Sequence, residues 1–283
     1  IELIARFSTL AAYAYEAKRH YYDGKSMYIH NPKPELSTAE NLLRLIRRDK
    51  KYTKLEAEIL DLALILHAEH GGGNNSSFAV HVISSADTDT YSAISAAVGS
   101  LKGRRHGGAN KQVMEMMDDI KSHVKDWSSE TEVKEYLRRI MKKEAFDKSG
   151  LIYGQGHAVY TISDPRTILL RNKAALLAKE KNMMDEYNLY VLIEKLAPIV
   201  FTEEKGESKQ ICTNVDFYSG FVYTMLGIPR DLFTPIFAVS RIAGWSAHRI
   251  EEIAAGGRIY RPAYKNILEP RQFVPIEKRA IRS

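Results

Sequence analysis

The chain of 283 residues is 45% apolar and 27% charged, and it carries a formal net charge of +6 at pH 7. That length accommodates one large or two modest domains with proper cores, and no window approaches the roughly eighteen uncharged apolar residues of a membrane span. Basic residues, densest at Arg47-Arg48-Asp49-Lys50-Lys51, are spread among acidic ones, which argues against nucleic-acid binding and suits small anionic substrates.

One cysteine, Cys212, rules out an internal disulfide and is compatible with a reducing cytoplasm, and it gives no support to a thiolate metal site. The opening Ile-Glu-Leu-Ile-Ala-Arg is amphipathic and lacks the basic start and apolar run of a signal peptide. It also begins in mid-helix pattern without methionine, so further residues are expected upstream of Ile1.

Leu3, Ile4, Phe7, Leu10, Ala11 and Tyr15 recur at helical spacing and predict an amphipathic helix over the first twenty residues, stopping near Asp23-Gly24. Ser37-Thr-Ala-Glu40 and Thr53-Lys-Leu-Glu56 are capping boxes, each opening a helix. The second is almost wholly apolar from Ile59 to Leu66, must be buried, and delivers His67 and His70 to a polar loop. After Gly71-Gly-Gly-Asn-Asn-Ser-Ser77 a pair of helices is expected, the second from Asp89-Thr90 to Gly103. Then Arg104-Arg-His-Gly-Gly-Ala-Asn110 leads into a helix from Lys111 to about Lys125, and Ser129 with Glu132 caps another to Glu144.

Leu151 to Tyr160 lacks helical period and reads as a short strand or loop. Asp164 with Pro165 at the first helical position starts a helix to about Lys181, and further helices follow at Asp185–Val200, Asn214–Met225 and Arg230–Ala255. About ten helices and no alternating strands make the class all-α. The charge pattern divides the chain into a large part, 1–109 and 221–283, and a smaller, more charged part, 110–220.

Asn214-Val-Asp216-Phe217 sets a carboxylate in the first turn of a helix, between two apolar side chains that thin the water around it. The helix end and nearby amides are expected to keep it ionised. The plain alternative is an aspartate that only caps the helix. His106, in a Gly-Gly turn before a helix, is expected to stay neutral and to donate to a developing enolate oxygen. His157, after Gly154-Gln-Gly156, can polarise a carbonyl. Either histidine alone is more often structural, but with Asp216 and the arginines they make an acid/base set. Arg166 and Arg241 sit on helices where a carboxylate partner is needed, either an internal one or a dicarboxylate ligand, and Arg261 reads equally as surface.

The order His70-Gly-Gly-Gly-Asn74, His106-Gly-Gly-Ala-Asn110, Gly154-Gln-Gly-His157 with Asp164-Pro-Arg166, and Asn214-Val-Asp216 resembles the citrate synthase family. Ser240-Arg241, Gly244-Trp245 and Ile259-Tyr-Arg261-Pro continue the likeness to the C-terminus. The resemblance implies an all-α enzyme of the tricarboxylic acid cycle, with a smaller helical domain closing over a cleft in a larger one. It also implies that an N-terminal part of the large domain is absent. It assigns Asp216 to take the methyl proton of acetyl-CoA, His106 to stabilise the enolate and His157 to polarise the ketone of oxaloacetate. His70, Asn74, Arg166 and Arg241 would bind substrate, Arg261 would reach the partner's site in a cytoplasmic homodimer, and Gly154, Gly156 and Asn214 would meet CoA. No cofactor or metal is implied, and no nucleic-acid or membrane partner.

Two positions depart from the family pattern. Thr161 stands where many relatives carry a basic residue thought to meet CoA phosphate, and Gly71-Gly72-Gly73 follows His70 where many have an acidic residue or glutamine. The same chemistry on propionyl-CoA, a 2-methylcitrate synthase, is the nearest alternative, since one methylene is worth only about 1–3 kcal/mol. A metallohydrolase built on His67, His70 and His106 is a remote one, because no general base stands at a characteristic spacing.

Overall fold

The computed structural model describes all residues except 104, 105, 158, 159, 161, 207–210 and 280–283. Thr161, the expected arginines of the second histidine loop and the Ala-Val pair after His157 therefore lie outside the described residues.

Among those described, the structure is built from eleven α-helices: α1 (Glu2–Tyr21), α2 (Thr38–Ile46), α3 (Lys54–His67), α4 (Asn75–Ser84), α5 (Thr90–Leu101), α6 (Ala109–His123), α7 (Glu130–Met141), α8 (Pro165–Glu180), α9 (Met184–Lys205), α10 (Val215–Met225) and α11 (Phe233–Ala254). The all-α class follows, and extended pairing among the described residues is a single antiparallel bridge, Gln155 to Thr213. No described helix is long and apolar enough to cross a membrane.

Local signals explain most boundaries. Ser37 and Thr53 both form complete capping boxes with the glutamates three residues on. Asp89 and Ser129 cap α5 and α7 through their side chains, and Asp164 caps α8 with Pro165 behind it. Three ends differ from expectation. α7 stops at Met141 because Lys143 takes a left-handed conformation, φ 65°. The expected single helix from Arg230 begins instead with a 3-10 turn, Arg230–Leu232. α9 continues through Pro198 to Lys205, where Glu203 and Glu204 pair with Arg138 of α7.

The main core gathers Leu42, Leu43, Leu60, Val113, Met117, Leu137, Leu170, Ile193, Phe217 and Phe221, all fully buried or nearly so. A smaller core of Val80, Ile94, Ala97, Ile242 and Trp245 lies between the α4–α5 hairpin and α11. α11 joins the two cores, while α6 and α8 flank α10. The described tail beyond α11, to Arg279, is exposed and carries only a 3-10 turn at Ile276–Lys278.

Candidate active site

A cavity of about 210 Å³ is lined by His70, Asn74, His106, Asn110, His157, Arg166, Asn214, Asp216, Phe237 and Arg241, with the backbone near Gly107 and Val215. Thus His70, Asn74, His106, His157, Arg166, Asn214, Asp216 and Arg241, chosen from sequence across 172 positions of chain, converge on one space. Three candidates do not line it. Gly154 and Gly156 stand behind it, and Arg261 is exposed on the tail.

The end of α3 and the start of α4 supply one wall. His67 is buried with its ring 4.8 Å from Phe237, and burial, with Arg241 and Arg166 nearby, depresses its pKa to about 3. Its ring belongs to the core, apart from His106 and His70, so the three histidines do not gather as ligands. His70 lies edge-on to His157 at 4.9 Å, its pKa lowered to about 4 by burial and the same arginines. Asn74 caps α4, accepting the amide of Ser76 at 3.2 Å.

Ser76 was not singled out from sequence, yet its hydroxyl joins two site residues and a core tryptophan. Its Oγ lies 2.8 Å from Asn74 Oδ1, accepts from Trp245 Nε1 at 3.1 Å, and stands 3.0 Å from His106 Nε2. With its single proton given to Asn74 Oδ1, Ser76 accepts from that nitrogen, so the neutral ring carries hydrogen on Nε2; only when the hydroxyl turns from Asn74 to donate to Nε2 does Nδ1 carry it. His106 itself is pinned by Gly107, where any side chain would collide with the carbonyl of Leu101, and whose own carbonyl accepts from Thr234 at 2.7 Å. The pKa of His106 is depressed, as expected, but burial is the main cause and the cation of Arg241 the second.

The opposite wall is the 151–157 loop and the starts of α8 and α10. The expected strand or loop is a loop. Gly154, φ 79°, lies so close to Phe217 that a Cβ would come within 2.7 Å of that ring. Its carbonyl accepts the Asn214 amide at 2.9 Å, and that of Gly156 accepts Asn214 Nδ2 at 2.9 Å. The two glycines therefore brace the start of α10. His157 Nδ1 accepts the Tyr160 amide at 3.1 Å, which puts the proton of the neutral ring on Nε2. Burial and Arg166 lower its pKa.

Arg166 already has a partner. Asp164, read from sequence only as a cap, takes Nε at 3.0 Å and Nη2 at 2.8 Å while accepting the Arg166 amide. Arg241 is different. It is 1% exposed, its Nε donates to the His67 carbonyl at 2.7 Å, and its guanidinium lies over Phe237. Its Nη1 is buried without a hydrogen-bond partner among the described residues, and burial lowers its pKa to about 10. Asn110 Oδ1 on the same cavity is also unpartnered. Its motif position was noted, but an asparagine at a helix start gives no sign of facing a ligand.

Asp216 is flanked by Val215 and Phe217, 3% and 0% exposed. Its pKa is raised to about 6 by burial, against the pull of Arg166 and Arg241. At neutral pH it is still mostly ionised, but desolvation outweighs the helix end and those favourable charges and moves its pKa up. The capping alternative fails as well, since Asn214 is the cap. An aspartate poised near neutrality, two neutral imidazoles and a buried guanidinium with an unused donor suit proton abstraction beside a bound carboxylate.

The family model for the citrate synthase C-terminal domain matches residues 1–263. The chain belongs to the citrate synthase family. It is 38% identical over 273 residues to a citrate synthase of Haloferax volcanii, covering 96% of this chain and 64% of that relative. A 2-methylcitrate synthase of Shewanella oneidensis is 33% identical, covering 98% of this chain and 67% of its own length. In structure the chain is similar to citrate synthase of the archaeon Thermoplasma acidophilum in ternary complex with carboxymethyl coenzyme A and oxaloacetate. That match has a TM-score of 0.79 and 31% identity, and it covers 98% of this chain and 68% of the other. The chain spans 64% of the length of the Haloferax relative.

Proposed function

We propose that this protein condenses acetyl-CoA with oxaloacetate and water to give citrate and CoA. The observation that carries the reading is the buried, unpartnered Nη1 of Arg241 on the same cavity as Asp216, whose pKa is raised to about 6. An unsatisfied buried donor on a guanidinium is costly, and a substrate carboxylate satisfies it.

In this reading Arg241, with His70, Asn74 and Arg166, binds the carboxylates of oxaloacetate, and His157 donates from Nε2 to its ketone oxygen. Asp216 takes a proton from the thioester methyl while His106, once the Ser76 hydroxyl has turned to donate to its Nε2, donates from Nδ1 to the enolate oxygen. The enolate carbon then forms the new bond to the polarised ketone, and hydrolysis of the thioester releases CoA. A carboxylate is far too weak a base for a thioester methyl on its own, so donor and base must act together. No cofactor enters the scheme.

The cavity admits a small diacid but not CoA, so the thioester must approach from outside it. We assign 1–109 and 221–283 to a large domain and 110–220 to a small domain that closes over the cleft. The cavity draws on both, with His106 and Arg241 from one and His157, Arg166 and Asp216 from the other. Arg261 is assigned to the partner's site in a cytoplasmic homodimer, in keeping with its exposure on the tail. Asn214 lines the cavity, and contact of Gly154 and Gly156 with CoA would be through their backbone.

The test is release of free CoA by the full-length protein given acetyl-CoA and oxaloacetate. Asp216→Ala should abolish it while the far-ultraviolet circular dichroism stays unchanged, and normal turnover in that variant removes the aspartate from the mechanism. The similarity to the Shewanella protein supports a second reading, with propionyl-CoA as the acyl donor. Steady-state rates with both thioesters decide between them.

A further inference from the structure

The proposed chemistry leaves one polar cluster unused. His81 of α4 and His248 of α11 face each other away from the cavity lining, with His81 Nε2 3.1 Å from His248 Nδ1. The other nitrogen of each ring meets a carboxylate. His81 Nδ1 lies 2.7 Å from Glu252 Oε2, and His248 Nε2 lies 2.9 Å from Glu69 Oε1. Glu252 is held in turn by the hydroxyl of Tyr260 at 2.8 Å. An ionised carboxylate only accepts, so each outer nitrogen carries the hydrogen and each inner nitrogen of a neutral ring presents a lone pair. Two lone pairs this close repel unless a cation lies between them.

A proton and a metal ion both satisfy that requirement, and the surroundings favour the metal. Glu251 Oε2 stands 3.4 Å from His248 Nδ1, and one donor atom from each of His81, His248 and Glu251 lies within 4.8 Å of the others. Two nitrogens ~2.0–2.1 Å from one tetrahedral zinc ion are roughly 3.3 Å apart, close to the spacing seen here. A carboxylate behind each imidazole is also how metal-binding histidines are oriented and made more basic. Gly72 passes beside the pair, where a Cβ would come 3.2 Å from His81 Nε2 and 3.4 Å from His248 Cε1, so the bare glycine keeps that side clear. We propose that His81, His248 and Glu251 bind a divalent transition metal ion of the zinc class, with Glu252 and Glu69 behind the rings and water completing the coordination.

The ion would join α4 to α11. Through Glu69, whose carboxylate accepts the amides of His70 and Gly71, it would also steady the loop that carries His70 to the cavity. It is a clamp on that loop and takes no part in the chemistry.

The test is calorimetric titration of the intact, tag-free, chelator-stripped protein with Zn²⁺. One ion per chain is expected at this site, lost in His248→Ala and weakened roughly 10–100-fold in Glu252→Gln. Glu251→Gln should weaken it too, and that side chain is 71% exposed, so the change leaves the fold intact. Histidines of the cavity can take up zinc themselves, so a titration unaltered by all three substitutions overturns the proposal. A folded wild-type protein that takes up no zinc overturns it as well, and the two rings are then bridged by a proton.

Discussion

The side-chain oxygen of Asn214 accepts the amide of Asp216 at 3.1 Å, while its nitrogen reaches the carbonyl of Gly156 at 2.9 Å. The asparagine thus closes the start of α10 and ties it to the His157 loop, so the aspartate two residues on is not needed as a cap. Its side chain lines the cavity, and burial raises its pKa to about 6. A base with that pKa is both ionised at neutral pH and stronger than an exposed carboxylate.

The pH dependence of kcat/KM follows directly. Activity requires ionised Asp216, so it should fall on the acid side with an apparent pKa near 6. His70, His106 and His157 all have depressed pKa values and should add no fall between neutrality and pH 8. An acid limb near 4, measured in the free enzyme, would mean that the aspartate is not desolvated as described.

Asp216→Asn should cost roughly 10²–10⁴-fold in kcat, the usual worth of a general base. The same substitution should raise the thermal midpoint at neutral pH. A carboxyl whose folded pKa lies above its unfolded one favours the fold at pH below the unfolded value, and that contribution is lost as pH rises through about 6. The variant's advantage should therefore shrink toward pH 4, measured by thermal unfolding at both pH values.

Ser76→Ala should lower kcat with little change in KM for oxaloacetate. The hydroxyl does not line the cavity, but its turn toward Asn74 or toward His106 sets which nitrogen of His106 carries the proton. A variant with full kcat would show that the ring holds its tautomer without the serine.

The helices and the convergence of the site were legible because both are written in short-range signals. Capping boxes at Ser37 and Thr53 and the Asp164-Pro165 pair fix helix starts locally, and glycine-flanked histidines mark places where backbone must come close. What sequence did not reveal depends on contacts between distant elements. Asp164 as the partner of Arg166 was hidden behind its own capping role, and Ser76 looked like an ordinary helix-start serine until Trp245 and His106 were brought to it across 169 and 30 positions. Which of the two opposing influences on Asp216 wins is hidden for the same reason, because the helix end can be read from sequence but the depth of burial cannot.

Arg241→Met should separate binding from stability. The guanidinium is buried with one nitrogen unpaired, so an apolar side chain of similar length removes a desolvation cost and should leave the thermal midpoint of the free protein equal or higher. Oxaloacetate affinity should drop on the order of a hundredfold, as for loss of one member of a buried charge pair. Thermal scans with and without oxaloacetate read both effects. Wild type should shift upward with ligand and the variant should not.

Glu56 offers the converse pH dependence, away from the cavity. Its carboxylate completes the capping box with Thr53 and also binds Arg47 at the end of α2 and Lys181 at the end of α8, each at 2.7 Å. Burial alone would raise its pKa, but the hydrogen bonds from Arg47 and Lys181 outweigh it and hold the value at about 2. A carboxyl depressed in the fold stabilises it above the unfolded pKa, and that stability disappears as pH falls through about 2. Glu56→Gln keeps an oxygen for the Thr53 amide but loses the charge, so it should cost on the order of 3 kcal/mol at pH 7. Urea unfolding at pH 7 and at pH 3 should show a clearly smaller difference between the two proteins at the lower pH. An equal difference at both would mean that packing, not charge, is what the glutamate supplies.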